Sequence, residues 1–430
     1  MSSSQRDAGL VRVIGPFGMG AAIVNNVIGA GIFALPAAMA HAIGPYAPLA
    51  FLFCALIMGG VVICFAEAGS RVPTSGGAYG YVEAAFGRGA GFVSGVLIWM
   101  GGVLALGGIA AALADTLVTL LPAALAVPAH ALLIVLTIGG IAAVNIRGAA
   151  AGTRFVGVVT LLKVLPLLIF IGAGVTAWHS DNLGAGTTVA LPGFGRAMIL
   201  ALFAFSGMET PLSASGEVAQ PERNIPRALF GAMLFVTVVY CAVQLVAQAV
   251  LGAALADAAA PLAAAMGRVH PALQLLLLGG AALSMFGWMG TDVMAMPRML
   301  FAFARDGFLP AALGRLHPRS HAPQFAIMVH AGIGMLLALT GTFAELVSLS
   351  ALASAALYIL GCAAAWTLRR RNFSAAGTPV VYRGLSVAAV VGIAGMTLLI
   401  ALSQWHEILG LVVLIGASVA LYAFSARRGR

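Results

Sequence analysis

Apolar runs of roughly 20 residues, separated by short polar stretches, recur along this chain from Val13 to Phe424, and no other feature restricts its fold as strongly. A helix needs about that many mainly apolar residues to cross about 30 Å of hydrocarbon. With 61% hydrophobic and 8% charged residues among 430, the chain has too little polar surface to clothe a water-soluble globule, so lipid must be its solvent. Only helices and closed barrels satisfy every backbone group in lipid. Barrel strands alternate apolar and polar residues, whereas these runs are continuous, so the expected class is an all-α membrane protein.

Twelve spans are expected, at about 12–40, 43–66, 89–120, 130–147, 155–178, 195–217, 227–252, 271–304, 324–341, 343–368, 385–403 and 406–426. They leave no room for a separate soluble domain. The third and eighth are long enough to tilt. Arg6 and Arg12 ahead of the first run imitate a secretory signal, but the run is too long and no small-residue cleavage site closes it, so it is read as retained.

Positive charge sets the orientation, because Lys and Arg in short loops stay on the cytoplasmic side. With the N-terminus inside, the inner segments hold Arg6, Arg12, Arg71, Arg88, Arg147, Arg154, Arg223, Arg227, Arg298, Arg305, Arg315, Arg319, Arg369, Arg370, Arg371, Arg383, Arg427, Arg428 and Arg430. The outer loops hold Arg196 and Arg268, a split of 19 to 2 that places both termini in the cytoplasm. Topology thus accounts for the net charge of +9. These arginines form no basic stripe with interleaved aromatics, so nucleic acid is not the expected partner.

Cys54, Cys64, Cys241 and Cys362 fall inside apolar runs without metal-like spacing and read as buried small hydrophobes with no disulfide. His317 and His321 stand four apart in a loop with no third ligand nearby, so no metal is expected; no cofactor is implied either.

Two runs contain what a lipid-facing helix avoids. Val27-Ile28-Gly29-Ala30-Gly31-Ile32-Phe33-Ala34-Leu35-Pro36 in the first weakens the backbone near mid-membrane, and Phe203-Ala204-Phe205-Ser206-Gly207-Met208-Glu209-Thr210-Pro211 does the same in the sixth. Either segment alone could serve close helix packing. Interrupted helices five spans apart are also what two inverted five-helix halves produce, with unwound backbone lining a cavity. A half-helix N-terminus there would offer N–H groups to a carboxylate, and unwound carbonyls would accept from an ammonium.

Gly29-Ala30-Gly31-Ile32-Phe33 with Leu35-Pro36, then Glu67 followed by Pro73-Thr74-Ser75-Gly76-Gly77-Ala78-Tyr79-Gly80-Tyr81, Phe205-Ser206-Gly207-Met208-Glu209, Glu217-Val218, Pro221-Glu222-Arg223-Asn224-Ile225-Pro226-Arg227, and Arg298-Met299-Leu300 with Ala304-Arg305-Asp306-Gly307-Phe308-Leu309-Pro310 resemble the amino acid–polyamine–organocation transporters. The resemblance runs over most of the chain in matching order. It implies alternating access by a five-plus-five inverted repeat, with halves at 12–178 and 195–368 and two accessory helices at 385–426, in a bacterial cytoplasmic (inner) membrane. It implies a substrate site at Ile28, Gly29, Ala30, Gly31, Ala204, Ser206 and Gly207, with Phe203 matching an aromatic that closes over substrate; Trp288 in the eighth span is a second gating candidate, and plain helix packing is the alternative for both aromatics. The Ser75-Gly76-Gly77 and Pro221–Pro226 loops and Arg305-Asp306 read as turn, gating or capping chemistry rather than substrate contacts.

Lys163 is the only lysine of the chain, and at mid-span it costs about 2.5–3.5 kcal/mol even on lenient insertion scales, so it should face the interior unless it snorkels. In several similar transporters a lysine here takes the place of sodium, which makes Lys163 a proton-coupling candidate. Glu209 and Asp292 lie well inside spans, where bare carboxylates are unfavourable. Three readings stand open: Glu209 as a proton-responsive switch, Asp292 paired with Lys163 or a backbone group, or both binding the distal ammonium of a cationic amino acid or diamine. A channel lacks its continuous polar pore, and an enzyme lacks its catalytic constellation. A transporter-like sensor stays possible, and the sequence sets no oligomeric state. The expected partners are a small amino acid or amine, the bilayer and protons.

Overall fold

The computed structural model describes residues 12–29, 31–73, 76–147, 153–184, 191–318, 320–375 and 378–428. Among these the regular structure is helical throughout, with one isolated bridge between Ile14 and Val218. The first half contains α1 (Pro16–Val27), α2 (Gly31–Ile43), α3 (Ala47–Arg71), α4 (Ala78–Phe86), α5 (Arg88–Val118), α6 (Ala123–Ile146) and α7 (Thr153–Gly174). The second contains α8 (Leu191–Phe205), α9 (Glu209–Leu212), α10 (Pro221–Leu251), α11 (Pro261–Gly267), α12 (Pro271–Ala295), α13 (Pro297–Arg305), α14 (Gln324–Thr340) and α15 (Phe343–Arg370). Helices α16 (Leu385–Ala401) and α17 (Trp405–Arg428) follow.

Nine helical stretches among the described residues are long and apolar enough to cross a membrane by length and composition, with α14 and α16 as shorter apolar helices beside them. The chain is a multi-pass membrane protein. The expected stretches coincide with helix, and local chemistry explains where each begins or ends. Proline stands at or near the first position of α1, α10, α11, α12 and α13, where its missing N–H costs nothing. Thr342 and Glu345 form a reciprocal capping box at α15. Proline at 297 divides the long eighth stretch into α12 and α13. Short α4 and α11 were not anticipated, because seven to nine residues between long apolar runs carry little periodic signal.

Exposed Leu, Val and Phe side chains such as Leu56, Leu234 and Val387 coat the outside, as a lipid-facing surface requires. The loops sort into two groups by their contacts. In one, the Val13 and Ile14 amides donate to the carbonyl of Glu217, Ser320 to that of Ile146, and Arg371 to that of Ala85. In the other, His179 and Asn182 donate to the carbonyl of Ala249, while Arg196 meets the Ala344 carbonyl and the Glu407 carboxylate.

A buried ion pair anchors the first group. At the end of α3, Arg71 grips Glu67 Oε1 through Nε at 3.0 Å and Nη2 at 2.8 Å, with both side chains 2% exposed or less. Glu67 Oε2 accepts from the Tyr382 amide at 3.0 Å, with Arg369 at 3.5 Å, and Arg71 also reaches the Phe373 carbonyl. Every charge there has an opposite charge or a backbone dipole against it.

Candidate functional site

The first expected span breaks where its glycines stand. Helix α1 ends at Val27, Ile28 and Gly29 leave the helix, and α2 begins at Gly31; Ala30 lies outside the described residues. Ending a helix inside a membrane strands carbonyls that water cannot reach. Here side chains take them: Lys163 Nζ donates to the carbonyl of Asn25 at 3.3 Å, Trp288 Nε1 to Asn26 at 3.0 Å, Tyr240 to Val27 at 2.9 Å and Ser284 to Gly29 at 3.0 Å. The break is therefore built by α7, α10 and α12 as much as by its own glycines.

The sixth span breaks in the same way. Helix α8 stops at Phe205 and the chain turns through Ser206, Gly207 and Met208 into the short α9. Ser206 folds its N–H and hydroxyl back onto the carbonyl of Leu202. Gly207 takes φ +108°, a conformation that favours glycine, and a Cβ there would stand 2.9 Å from the Asn26 amide. The two breaks touch: Asn26 Nδ2 donates to the Gly207 carbonyl at 2.6 Å, and a Cβ on Gly31 would meet the Ala204 backbone at 3.4 Å.

Around this junction lies a cavity of about 50 Å³. Asn26, Gly29, Gly31, Phe203, Ala204, Ser206, Gly207, Glu209, Trp288 and Asp292 line it. Leu97, Ile98, Ala105, Ile109 and Leu357 form an apolar wall, and Ser350 and Ser354 add two hydroxyls. Two stripes at helical spacing of four run along it: Ser284, Trp288 and Asp292 on α12, of which Trp288 and Asp292 line the cavity, and Ser350, Ser354 and Tyr358 on α15, of which the two serines do.

Both carboxylates are buried and hydrogen-bonded, yet neither meets an arginine or lysine. Glu209 Oε2 accepts from the Tyr358 hydroxyl at 2.7 Å and from the Gly207 amide at 3.1 Å, which fixes it at the start of α9. Asp292 Oδ2 lies 2.8 Å from His330 Nε2 of α14, a residue 0% exposed. Sequence reading weighed Lys163 or a backbone group as the partner of Asp292; the histidine is found instead.

Lys163 is 0% exposed, although its helix neighbours Leu161 and Leu165 are 64% and 47% exposed, so it points inward and does not snorkel. Its ammonium sits at the C-terminal end of α1, where the helix dipole favours a cation, and Thr160 one turn earlier reaches the carbonyl of Ala21. Lys163 lies behind the break rather than on the cavity wall. Ile28 is likewise packed in the core, with its carbonyl 3.4 Å from Ser284.

The loop motifs take structural places. Gly76 and Gly77 have φ +121° and +50°, and a Cβ on Gly77 would stand 2.8 Å from the Leu212 backbone, so this turn seats against the end of α9. Gly307 at φ +84° closes α13, with the Phe308 amide returning to the carbonyl of Phe303. Sequence reasoning missed Asn26, His330 and Tyr358. A histidine in the middle of an apolar run was the available signal for one of them.

This arrangement can hold a small polar molecule between two helix ends, with acidic groups and two aromatics at hand. The chain is 28% identical over 379 residues to a methylthioribose transporter of Bacillus subtilis (strain 168), covering 82% of this chain and 81% of that protein. It is 26% identical over 382 residues to the serine/threonine exchanger SteT of the same strain, covering 85% of each. It is 27% identical over 386 residues to the branched-chain amino acid permease BcaP of Lactococcus lactis subsp. cremoris (strain MG1363), covering 81% of this chain and 80% of that protein. With the amino acid permease family model matching residues 14–424, the whole of the helix-break architecture included, the chain belongs to the amino acid permease family.

Proposed function

We propose that this protein is a secondary active carrier of amino acids or related amines that works by alternating access, independent of sodium and coupled to protons or to exchange, with a leaning to a cationic amino acid or diamine. One observation carries the reading: two interrupted helices meet through Asn26 and Gly207 around a cavity that holds two buried carboxylates. In this reading the segment Gly29-Ala30-Gly31 receives the substrate carboxylate. Ala204, Ser206 and Gly207 face it across the cavity, and Phe203 and Trp288 close over it. Asp292 meets a distal ammonium, Glu209 carries a proton, and Lys163 stands where a coupling ion would otherwise sit.

Twelve spans in two inverted halves, with α16 and α17 accessory, are supported by the packing. Contact of α5 with α15 has its counterpart in α12 with α7. Contact of α1 with α7 is matched by α8 with α15, and α1 with α10 by α8 with α3. The arginine excess in the loop group anchored by Arg71 and Arg369 supports a cytoplasmic side for that group and for both termini. Reconstituted protein should accumulate label from an amino acid and polyamine panel, saturably and in response to an imposed pH gradient but not to sodium. Sodium-dependent uptake would refute the coupling, and no uptake or exchange of any member would refute the carrier.

A neutral cargo is the second reading, favoured by the apolar wall of Leu97, Ile98, Ala105, Ile109 and Leu357. Relatives named for serine/threonine and branched-chain amino acids fit it too. Glu209 would then be the proton site alone.

A further inference from the structure

The pair of Asp292 and His330 differs from the other charged contacts among the described residues, because one partner faces the cavity and the other is sealed behind it. His330 Nε2 is bonded to Asp292 Oδ2, whereas its Nδ1 is buried with no hydrogen-bond partner. An imidazolium would leave a second N–H donor unsatisfied there, which costs more than a bare acceptor nitrogen. The contact therefore favours a neutral imidazole donating from Nε2, with the negative charge on Asp292. The other oxygen, Oδ1, makes no hydrogen bond among the described residues and stands 2.9 Å from where a Cβ on Gly102 would lie, on the cavity side.

Among the described residues no other group neutralises this carboxylate. Helix α7 brings Lys163, which turns to the carbonyl of Asn25. Helix α5 carries Arg88, placed over the Phe308 ring, and Asp115, which pairs with His130 of α6. Helix α13 carries Arg298, bonded to the carbonyl of Met294, and Arg305, paired with Asp306; α11 has no titratable residue. Across the cavity Glu209 adds a second carboxylate, held by Tyr358.

We propose that Asp292 Oδ1 holds either a proton or the ammonium of the cargo, never both, and that His330 is the positioning residue that keeps this oxygen turned to the cavity. With Oδ1 bare the pair carries one negative charge; a proton or an ammonium brings it to neutrality. The two cations compete for one atom, so uptake of a cationic amine displaces a proton from the protein. This rests on the cavity being the substrate site, and the test separates the two ideas.

Calorimetric titration of the purified protein with putrescine, lysine and leucine, in buffers of different ionisation heat, counts the protons released. At the midpoint of the pH profile the cationic ligands should release about half a proton, rising towards one at lower pH, and leucine none. His330→Leu should weaken the cations about tenfold at neutral pH and move their acidic limb upward by about one pH unit, for the loss of one charge-assisted hydrogen bond. His330→Gln, which still presents an N–H donor, should recover most of both effects. Equal proton release by leucine and the cations, or a wild type that binds leucine alone, overturns the proposal while leaving the carrier intact. Unchanged cation affinity and pH profile in His330→Leu overturns it as well. If His330→Leu does not fold, the wild-type proton count decides alone. Binding in the expected pattern that survives Gly31→Leu would instead remove the cavity as the site.

Discussion

Two of the places where acidic groups are buried among the described residues treat them oppositely. At the end of α3, Glu67 is matched by two N–H donors of Arg71 on one oxygen and by a second arginine and a backbone amide on the other, so nothing remains for a mobile ligand. In the cavity, Glu209 and Asp292 are given a tyrosine, an amide and a histidine, all of them groups that can orient a carboxylate without cancelling its charge. Lys163, the cation nearest in role, is held by a helix end instead. A fully compensated buried pair is a fastening, whereas a buried charge left with orienting partners is unfavourable unless a cation arrives. The first place ties the loop after α15 to the bundle, and the second, in the proposed reading, invites cargo or a proton.

The largest expected effect breaks the second place outright. Gly31→Leu drives a branched side chain toward the Ala204 backbone, which a Cβ alone would already meet at 3.4 Å. Transport should fall to background while the protein still inserts and elutes as a folded species on size exclusion. Wild-type uptake by this variant would dismiss the junction of the two breaks as the site.

Next comes the fastening. Arg71→Ala leaves Glu67 buried without its main counter-charge, which should cost about 3–5 kcal/mol of stability, read as a lower melting temperature in detergent. Adding Glu67→Gln should recover much of that loss, because the uncompensated charge is gone. Cargo selectivity should not change in either variant. A selectivity change would mean that the two places are not separate in role.

Much of this contrast was legible in sequence, and the part that was not has a physical cause. Apolar runs announce helices in lipid because length and hydrophobicity suffice, and paired glycines and prolines announce breaks. Gly29, Gly31, Phe203, Ala204, Ser206, Gly207, Glu209, Trp288 and Asp292 do gather on one cavity. What a break bonds to is another matter. Asn26 reaches Gly207 across 181 positions and His330 reaches Asp292 across 38, and no local periodicity encodes such pairings. Tyr358 and the two serines before it on α15 were findable as a stripe spaced by four, yet a stripe of small polar residues also reads as helix packing.

A smaller effect concerns Lys163. Lys163→Ala removes the cation from the end of α1 and leaves the Asn25 carbonyl without its donor, so transport should drop several-fold and lose part of its response to external pH. Lys163→Arg keeps charge but cannot shed its proton, so it should hold the break together while failing to respond to pH. Equal pH responses in wild type, Ala and Arg variants would remove Lys163 from the coupling and leave it a structural plug.

The smallest effect sharpens the comparison most, because it withdraws one hydroxyl, which also neighbours Ser206 and the Gly207 backbone, and keeps the rest of the side chain. Tyr358→Phe keeps the ring, its edge contact with Phe65 and its volume, but withdraws the hydroxyl that donates to Glu209 Oε2 at 2.7 Å. The Gly207 amide still holds the same oxygen, so the carboxylate should stay in place. Losing one charge-assisted donor weakens the ionised form by about 1.5–3 kcal/mol at most, and cavity water can replace part of it. If Glu209 exchanges a proton during transport, the acidic limb of the uptake profile should therefore move to higher pH, with the maximal rate changed only a few-fold. Glu209→Gln, which cannot ionise, should flatten that limb and make the Tyr358→Phe change silent in the double variant. A shift of equal size in the presence of Glu209→Gln would place the titrating group elsewhere on the cavity wall, with Asp292 the remaining carboxylate.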